Sequence, residues 1–235
     1  MRKSTPVQWV IRVLFYCIAL FLMALGVAYS ANSNLGISPV NSLPYVISDI
    51  VQVAPGTCVT IVFCIYILVQ VIILRKEFNP INLFQIVFST IFGYFVNFTK
   101  WIVGDFVFPG GYVGRLLMQC VGIVFVAFGV FFYLEVDLVP MPMEGMTMAI
   151  ANKLKKPFPK VKIWVDCATV ALGVILTFVF LHKIPFVHEG VRIREGTILA
   201  AVVTGYIVAL FRKPLSPVVK KLCFGEQAAE PAEGK

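Results

Sequence analysis

The chain has 235 residues, of which 59% are hydrophobic and only 14% charged, with a mean hydropathy of +0.89. That is too apolar for a soluble domain and leaves no room for a large one beside membrane segments. The net charge of +8 would suit nucleic acid, but the basic residues sit in short clusters at the ends of apolar runs, which is the pattern of loops facing an anionic lipid surface and excludes nucleic acid as a partner.

Residues 8–29 read as a first transmembrane helix, with Arg2, Lys3 and Arg12 at its start. A small, polar stretch follows at 30–38 (Ser30, Asn32, Ser33, Asn34, Gly36, Ser38), then a short helix from Pro39 to about Val53. Ser38 suits its N-cap and Pro39 its first helical position. A helix of that length rises only about 22 Å, against a hydrocarbon core of about 30 Å. It is expected to enter the membrane and return. Residues 57–74 make the next full span, closed by Arg75-Lys76-Glu77, and residues 81–103 the one after. In that span Gln85, Ser89, Gly93 and Asn97 recur every fourth residue, one polar and small face that is either a helix-packing seam or the lining of a cavity.

Pro109-Gly110-Gly111 separates the halves. A span at 112–134 leads to a polar approach from Glu135 to Val139 and a second short helix from about Pro142 to Leu154. Next come the basic cluster Lys153–Lys162, a span at 163–181 and a loop with His182, His188, Arg192 and Arg194. The last span, 196–211, carries Thr197 and Thr204-Gly205-Tyr206; a basic tail ends in EQAAEPAEGK, expected to be disordered.

The two halves repeat. A shift of 103 residues without a gap carries Gly26-Val27 onto Gly129-Val130, Leu35 onto Leu138, Pro39 onto Pro142, Ile47 onto Ile150 and Cys64 onto Cys167. A single offset held over roughly 65 residues points to a duplicated membrane unit. It also argues against a signal peptide at the N-terminus, because the partner of the first span lies mid-chain. The expected fold is therefore an all-α polytopic membrane protein of two inverted repeats, each with three transmembrane helices and one re-entrant half-helix. Residues 1–213 form the membrane domain, with repeats at about 8–104 and 112–212, and 214–235 form a cytoplasmic, partly disordered tail. Six spans put both termini in the cytoplasm of a bacterial inner membrane. Eight spans would result if the short helices crossed fully; basic-residue placement does not choose, and helix length favours six.

A half-helix brings free backbone N–H groups and a positive dipole end into the bilayer, which suits an anionic or carbonyl-bearing solute. The expected substrate-binding residues are Ser38, Asn41, Ser42, Gln85, Ser89, Asn97, Glu144, Thr197 and Thr204, gathered at the repeat interface near mid-membrane. Glu144 and Asn41 are repeat equivalents in the first turns of the two short helices. An ionised carboxylate there costs at least about 2.5 kcal/mol and must be neutralised by a proton, a cation or the helix dipole. Glu144 and Asp166 are the expected ion-coupling residues, although a cap and an i, i+4 pair with Lys162 are their structural alternatives.

The six cysteines form no CxxC, and Met141, Met143, Met146 and Met148 spread around more than one helix face, so no metal site and no cofactor is expected. GxSxG, HExxH and Walker motifs are absent from the sequence, and an enzyme is not expected.

The motifs LGISPVNSLPYVISDI and PGTCVTIVFCIYILVQVIIL, the echo VPMPMEGMTMAI and the late REGTILAAVVTGYIVALF resemble the YitT/YczE family of bacterial integral membrane proteins over most of residues 10–212. The resemblance implies a multi-span inner-membrane protein and brings no substrate. The functional expectation is a small secondary transporter or exporter of a small anionic or zwitterionic metabolite. Its partners are the lipid bilayer, the solute and a homodimer mate. The alternative is a non-transporting membrane partner: a binding component, or an assembly or sensory factor of a larger complex.

Overall fold

The computed structural model describes residues 6–183 and 191–224, apart from the Lys213 side chain. They form eight α-helices: α1 (Pro6–Ser33), α2 (Pro39–Val51), α3 (Pro55–Leu74), α4 (Phe84–Val103), α5 (Gly111–Val136), α6 (Pro142–Leu154), α7 (Phe158–Leu181) and α8 (Glu195–Phe224). Six of them, all but α2 and α6, are long and apolar enough to cross a membrane, which is the make-up of a multi-pass membrane protein. The two short helices have 13 residues each and rise about 20 Å, too little to cross.

Chain chemistry sets these ends. Proline occupies the first turn of both short helices, behind extended Ser38 and Met141. Both finish on a left-handed residue, Gln52 (φ 55°) and Lys155 (φ 52°), and left-handed Asn34 and Asp137 break the chain after α1 and α5. The first turn of α3 is completed from a distance, the Gly56 N–H donating to Asn97 Oδ1 at 2.8 Å.

Several boundaries differ from expectation. The polar residues Ser30, Asn32 and Ser33 belong to α1, and Glu135 to α5, because each finds a partner while still helical. Ser33 Oγ donates to Ser30 O at 2.7 Å and Asn32 Nδ2 to Gly104 O at 2.7 Å. Residues 214–224, assigned to the tail, continue α8 despite Pro214 and Pro217. They are tied down by Glu135, whose side chain is 2% exposed and takes Arg212 Nε at 3.1 Å, Ser216 Oγ at 2.7 Å and Lys220 Nζ at 3.5 Å. His188 and the terminal EQAAEPAEGK lie outside the described residues.

α1 and α5 form the central pair, and the bundle is built around it. α4 packs on α1 and α8 on α5; α3 packs on α4 and α6, α7 on α2 and α6, and α2 on α3. Small residues let helices approach closely within a core of aromatics and aliphatics such as Tyr16, Leu20, Phe63 and Phe92: a Cβ on Gly26 would strike Gly122 O and Val126, and one on Gly129 would strike Ala19 O and Met23. Many other large aliphatics point out, as Val7, Val10, Leu14 and Ile18 do on α1 and Ile61, Ile65, Leu68 and Ile72 on α3. Helices in lipid gain nothing by burying large apolar groups against each other, so close backbone approach through glycine holds the bundle.

Candidate functional site

The first turn of α6 gathers most of the unsatisfied polar chemistry. Pro140 and Pro142 stiffen the chain into the helix, Met141 sits at the N-cap, and the Gly145 N–H closes on Met141 O at 2.8 Å. Glu144 keeps part of its surface accessible, yet its Oε2 is buried and meets no hydrogen-bond partner. The Tyr133 hydroxyl from α5 and the Glu144 backbone N–H lie near the carboxylate and favour its charge. Tyr16 of α1 stands beside it, edge-on to Tyr133 at 6.3 Å, with its hydroxyl donating to Val139 O at 3.1 Å.

The next residue, Gly145, faces two amides. A Cβ built there would lie 2.9 Å from Gln70 Oε1 and 2.9 Å from Gln85 Nε2, so both amide ends converge on the space a side chain would fill. Gln70 is 2% and Gln85 1% exposed. Gln70 Oε1 and both amide atoms of Gln85 lack a partner, as does Ser89 Oγ one turn further along α4. Buried polar atoms without partners are rare in folded proteins, and four on three neighbouring residues mark a place built to meet something else. On the α7 side, Lys162 Nζ pairs with Asp166 Oδ1 at 2.7 Å and both act electrostatically on Glu144. Asp166 is thus held in the i, i+4 pair and borders the site.

The stripe on α4 divides. Gln85 and Ser89 belong to this cluster, whereas Gly93 and Asn97 form the seam with α3: a Cβ on Gly56 would collide with Gly93 O, and Asn97 caps α3. Asn97 therefore leaves the expected binding set, because its oxygen is spent on a backbone N–H.

Ser38, Asn41, Ser42 and Thr197 lie in a second polar group around the start of α2. Asn41 Nδ2 donates to Ser38 Oγ at 3.3 Å while its Oδ1 is buried unpartnered, and Ser42 Oγ donates to Pro39 O at 2.9 Å. Thr197 Oγ1 accepts from the Arg194 N–H at 3.3 Å, an N-terminal cap for α8. Gln119 links this group to α1 and α8, accepting from Ser33 Oγ at 2.8 Å and donating to Gly196 O at 3.2 Å. Arg192 grips Asp49 with Nε at 2.6 Å and Nη2 at 2.8 Å, closing the loop before α8 onto α2. Burial works against the Arg192 charge, and the Asp49 contacts outweigh it, so its pKa lies above the ordinary value.

The single mid-bundle cavity expected from the sequence is thus two groups. Tyr16 belongs to one and Ser33 to the other, 17 residues apart on α1, or about 25 Å. The Glu144 group sits about a turn from the helix ends that carry Arg75–Glu77, since Gln70 is four residues from the end of α3 and Gln85 the second residue of α4. Thr204 joins neither group: it is half-buried on a stretch of α8 where a Cβ on Gly205 would meet nothing within 4 Å and Tyr206 is 76% exposed. Sequence reasoning missed Gln70, Tyr133, Tyr16 and Gln119. Gln70 was the legible one, an amide isolated among the aliphatics of ILVQVIIL.

Comparison with known proteins adds no chemistry. The uncharacterised protein YyaS of Bacillus subtilis (strain 168) is 21% identical over 208 residues, which cover 88% of this chain and 94% of YyaS. No solved structure matches. A family model described as DUF6198, a family of unknown function, matches residues 10–213, from the first turns of α1 to well past the middle of α8. Because that match covers most of the chain and takes in both polar groups, the chain belongs to the DUF6198 family.

Proposed function

We propose that the protein is a small secondary transporter or exporter in a bacterial inner membrane, with both termini cytoplasmic and with the first turn of α6 as its solute and coupling site. The observation that carries this reading is the meeting of two unpartnered buried amides, Gln70 and Gln85, at Gly145, the residue next to Glu144, whose Oε2 is also buried and unpartnered, inside a bundle of apolar helices. A chain that spends buried polar groups this way in a membrane handles a polar species there. The solute is small and, because the site holds a carboxylate, zwitterionic rather than purely anionic. No reaction is assigned to it. Kinship with the YitT/YczE proteins, read from the motifs, belongs to the same proposal.

The inverted repeat also belongs here, and helix packing supports it. Under the shift of 103 residues the Gly26 contacts with Gly122 and Val126 become the Gly129 contacts with Ala19 and Met23, residue for residue. The pairs α1·α4 and α5·α8 correspond, as do α3·α6 and α2·α7, and α2·α3 and α6·α7. Three pairings depart: α3 lies along α4, and α8 touches α1 and α2, while the equivalent pairs α7·α8, α4·α5 and α4·α6 make no comparable contact among the described residues. In an inverted-repeat transporter such a difference between halves is what distinguishes the two sides of an alternating-access cycle.

The test is proteoliposomes containing only this protein, loaded with a pH-sensitive dye and challenged with pools of small zwitterionic metabolites under an imposed pH gradient. Solute-dependent proton movement, lost in Glu144→Gln, is the expected result. Solute binding with no flux in either direction would overturn transport and turn the reading to a binding component of a larger complex.

A further inference from the structure

We infer that the site at the first turn of α6 takes a monovalent cation, either an alkali ion or the ammonium head of a solute, held by oxygens of Glu144, Gln70 and Gln85. This uses the site proposed above and names the charge of what it binds.

Unpartnered acceptors outnumber donors. Gln70 Oε1, Gln85 Oε1 and Glu144 Oε2 are acceptors, and Gln85 Nε2 is a donor; Ser89 Oγ serves as either. Amide ends can rotate, so both glutamines can present oxygen to the same point beside Gly145. A carboxylate, two amide carbonyls and a hydroxyl make a hard, all-oxygen set of the kind that holds cations or an N–H-rich ammonium group.

The charge balance gives the valence. The groups facing Glu144 are Tyr133 from α5, Tyr16 from α1, and Lys162 and Asp166 from α7. The tyrosines are neutral, and Lys162 is matched by Asp166 at 2.7 Å. One negative charge is left over, which a single positive charge neutralises. No group of three or more His, Cys, Asp or Glu that could hold a metal occurs among the described residues, which argues against a divalent ion. An anion would meet the Glu144 carboxylate in the first turn of α6. The repeat equivalent of Glu144 is the neutral Asn41, so the second polar group supplies no matching charge there.

Gly145 makes the inference testable without dismantling the fold. An alanine there would press only on the ends of two flexible amides, at 2.9–3.1 Å, so the helix survives while both amides are displaced from the site. The experiment uses the full chain in nanodiscs, with N-methylglucamine chloride holding ionic strength constant. Na⁺, K⁺ and methylammonium are titrated separately, with calorimetric heat and the thermal midpoint as readouts. Saturable binding of at least one ion is expected. Glu144→Gln and Gly145→Ala should each weaken it by about tenfold or more, the loss typical of a charged hydrogen-bond partner. Tyr206→Phe on the exposed face of α8 should leave it unchanged, and midpoints without ion identify any variant that has merely unfolded. Response to the alkali ions alone identifies an inorganic coupling ion; response to methylammonium identifies an amine head. Absence of saturable binding by all three, or binding that is equal in Glu144→Gln, overturns the inference. Cation binding without flux would leave it standing while removing transport, and solute flux with N-methylglucamine as the only cation would do the reverse.

Discussion

At Glu144 a carboxylate is placed where its charge is poorly matched and its second oxygen has no partner. Glu144→Gln preserves the size but fixes the charge at zero. The variant should fold, and pH-driven accumulation in proteoliposomes should be lost; an unchanged pH dependence would reduce Glu144 to a structural residue of the first turn. Asn97 illustrates the opposite case, a polar residue whose capacity is used up by structure. Asn97→Ala should lower stability by about 0.5–2 kcal/mol through the lost cap on α3, measured by denaturation in detergent, with solute binding intact. The Arg192–Asp49 fork is about three-quarters buried on both sides. Arg192→Ala should cost about 1–2 kcal/mol, between the values of surface and buried pairs, and a double-mutant cycle with Asp49→Ala isolates the coupling.

At the scale of elements, α1 and α5 meet through backbone rather than side chains. Gly26→Ala and Gly129→Ala each put a methyl group onto a carbonyl oxygen of the facing helix, which cannot move out of the way as a flexible side chain can. Each should destabilise by about 1–3 kcal/mol, and by similar amounts if the two positions are repeat equivalents. Gly205→Ala, where a Cβ meets nothing, should instead stabilise by up to about 1 kcal/mol through helix propensity. Detergent unfolding of the three variants side by side measures both signs.

For the whole molecule, the proposed topology of six spans with two short helices that turn back would put Lys76 and Lys160 on one side of the membrane and Asp105 and His182 on the other. Single cysteines at these positions in a cysteine-free background should label in those two groups from opposite faces. Labelling of Lys76 and Lys160 from different sides would mean that a short helix crosses after all. The unequal pairing of α3·α4 and α7·α8 carries its own expectation: spin labels at Ile175 and Val202 should show two distance populations if the halves exchange states, and one if the difference is static.

The helices were legible in the sequence because apolar run length and proline placement are local properties. The short helix from Pro142 to Leu154 was read with its observed bounds, and at 13 residues both short helices rise about 20 Å, less than the hydrocarbon core of about 30 Å. Left-handed Asn34 and Asp137, and Gln52 and Lys155, sit 103 residues apart, the offset of the proposed repeat. What the sequence could not express is which polar groups find partners. Gln85 and Asn97 look alike on one stripe of α4, yet one faces Gly145 and the other caps α3, and only the neighbouring helix decides. The same holds for Glu135, which reads as part of a polar approach until α8 folds back to surround it with Arg212, Ser216 and Lys220. In a bilayer every buried polar atom is defined by what lies across from it, and that is a property of packing between helices far apart in the chain.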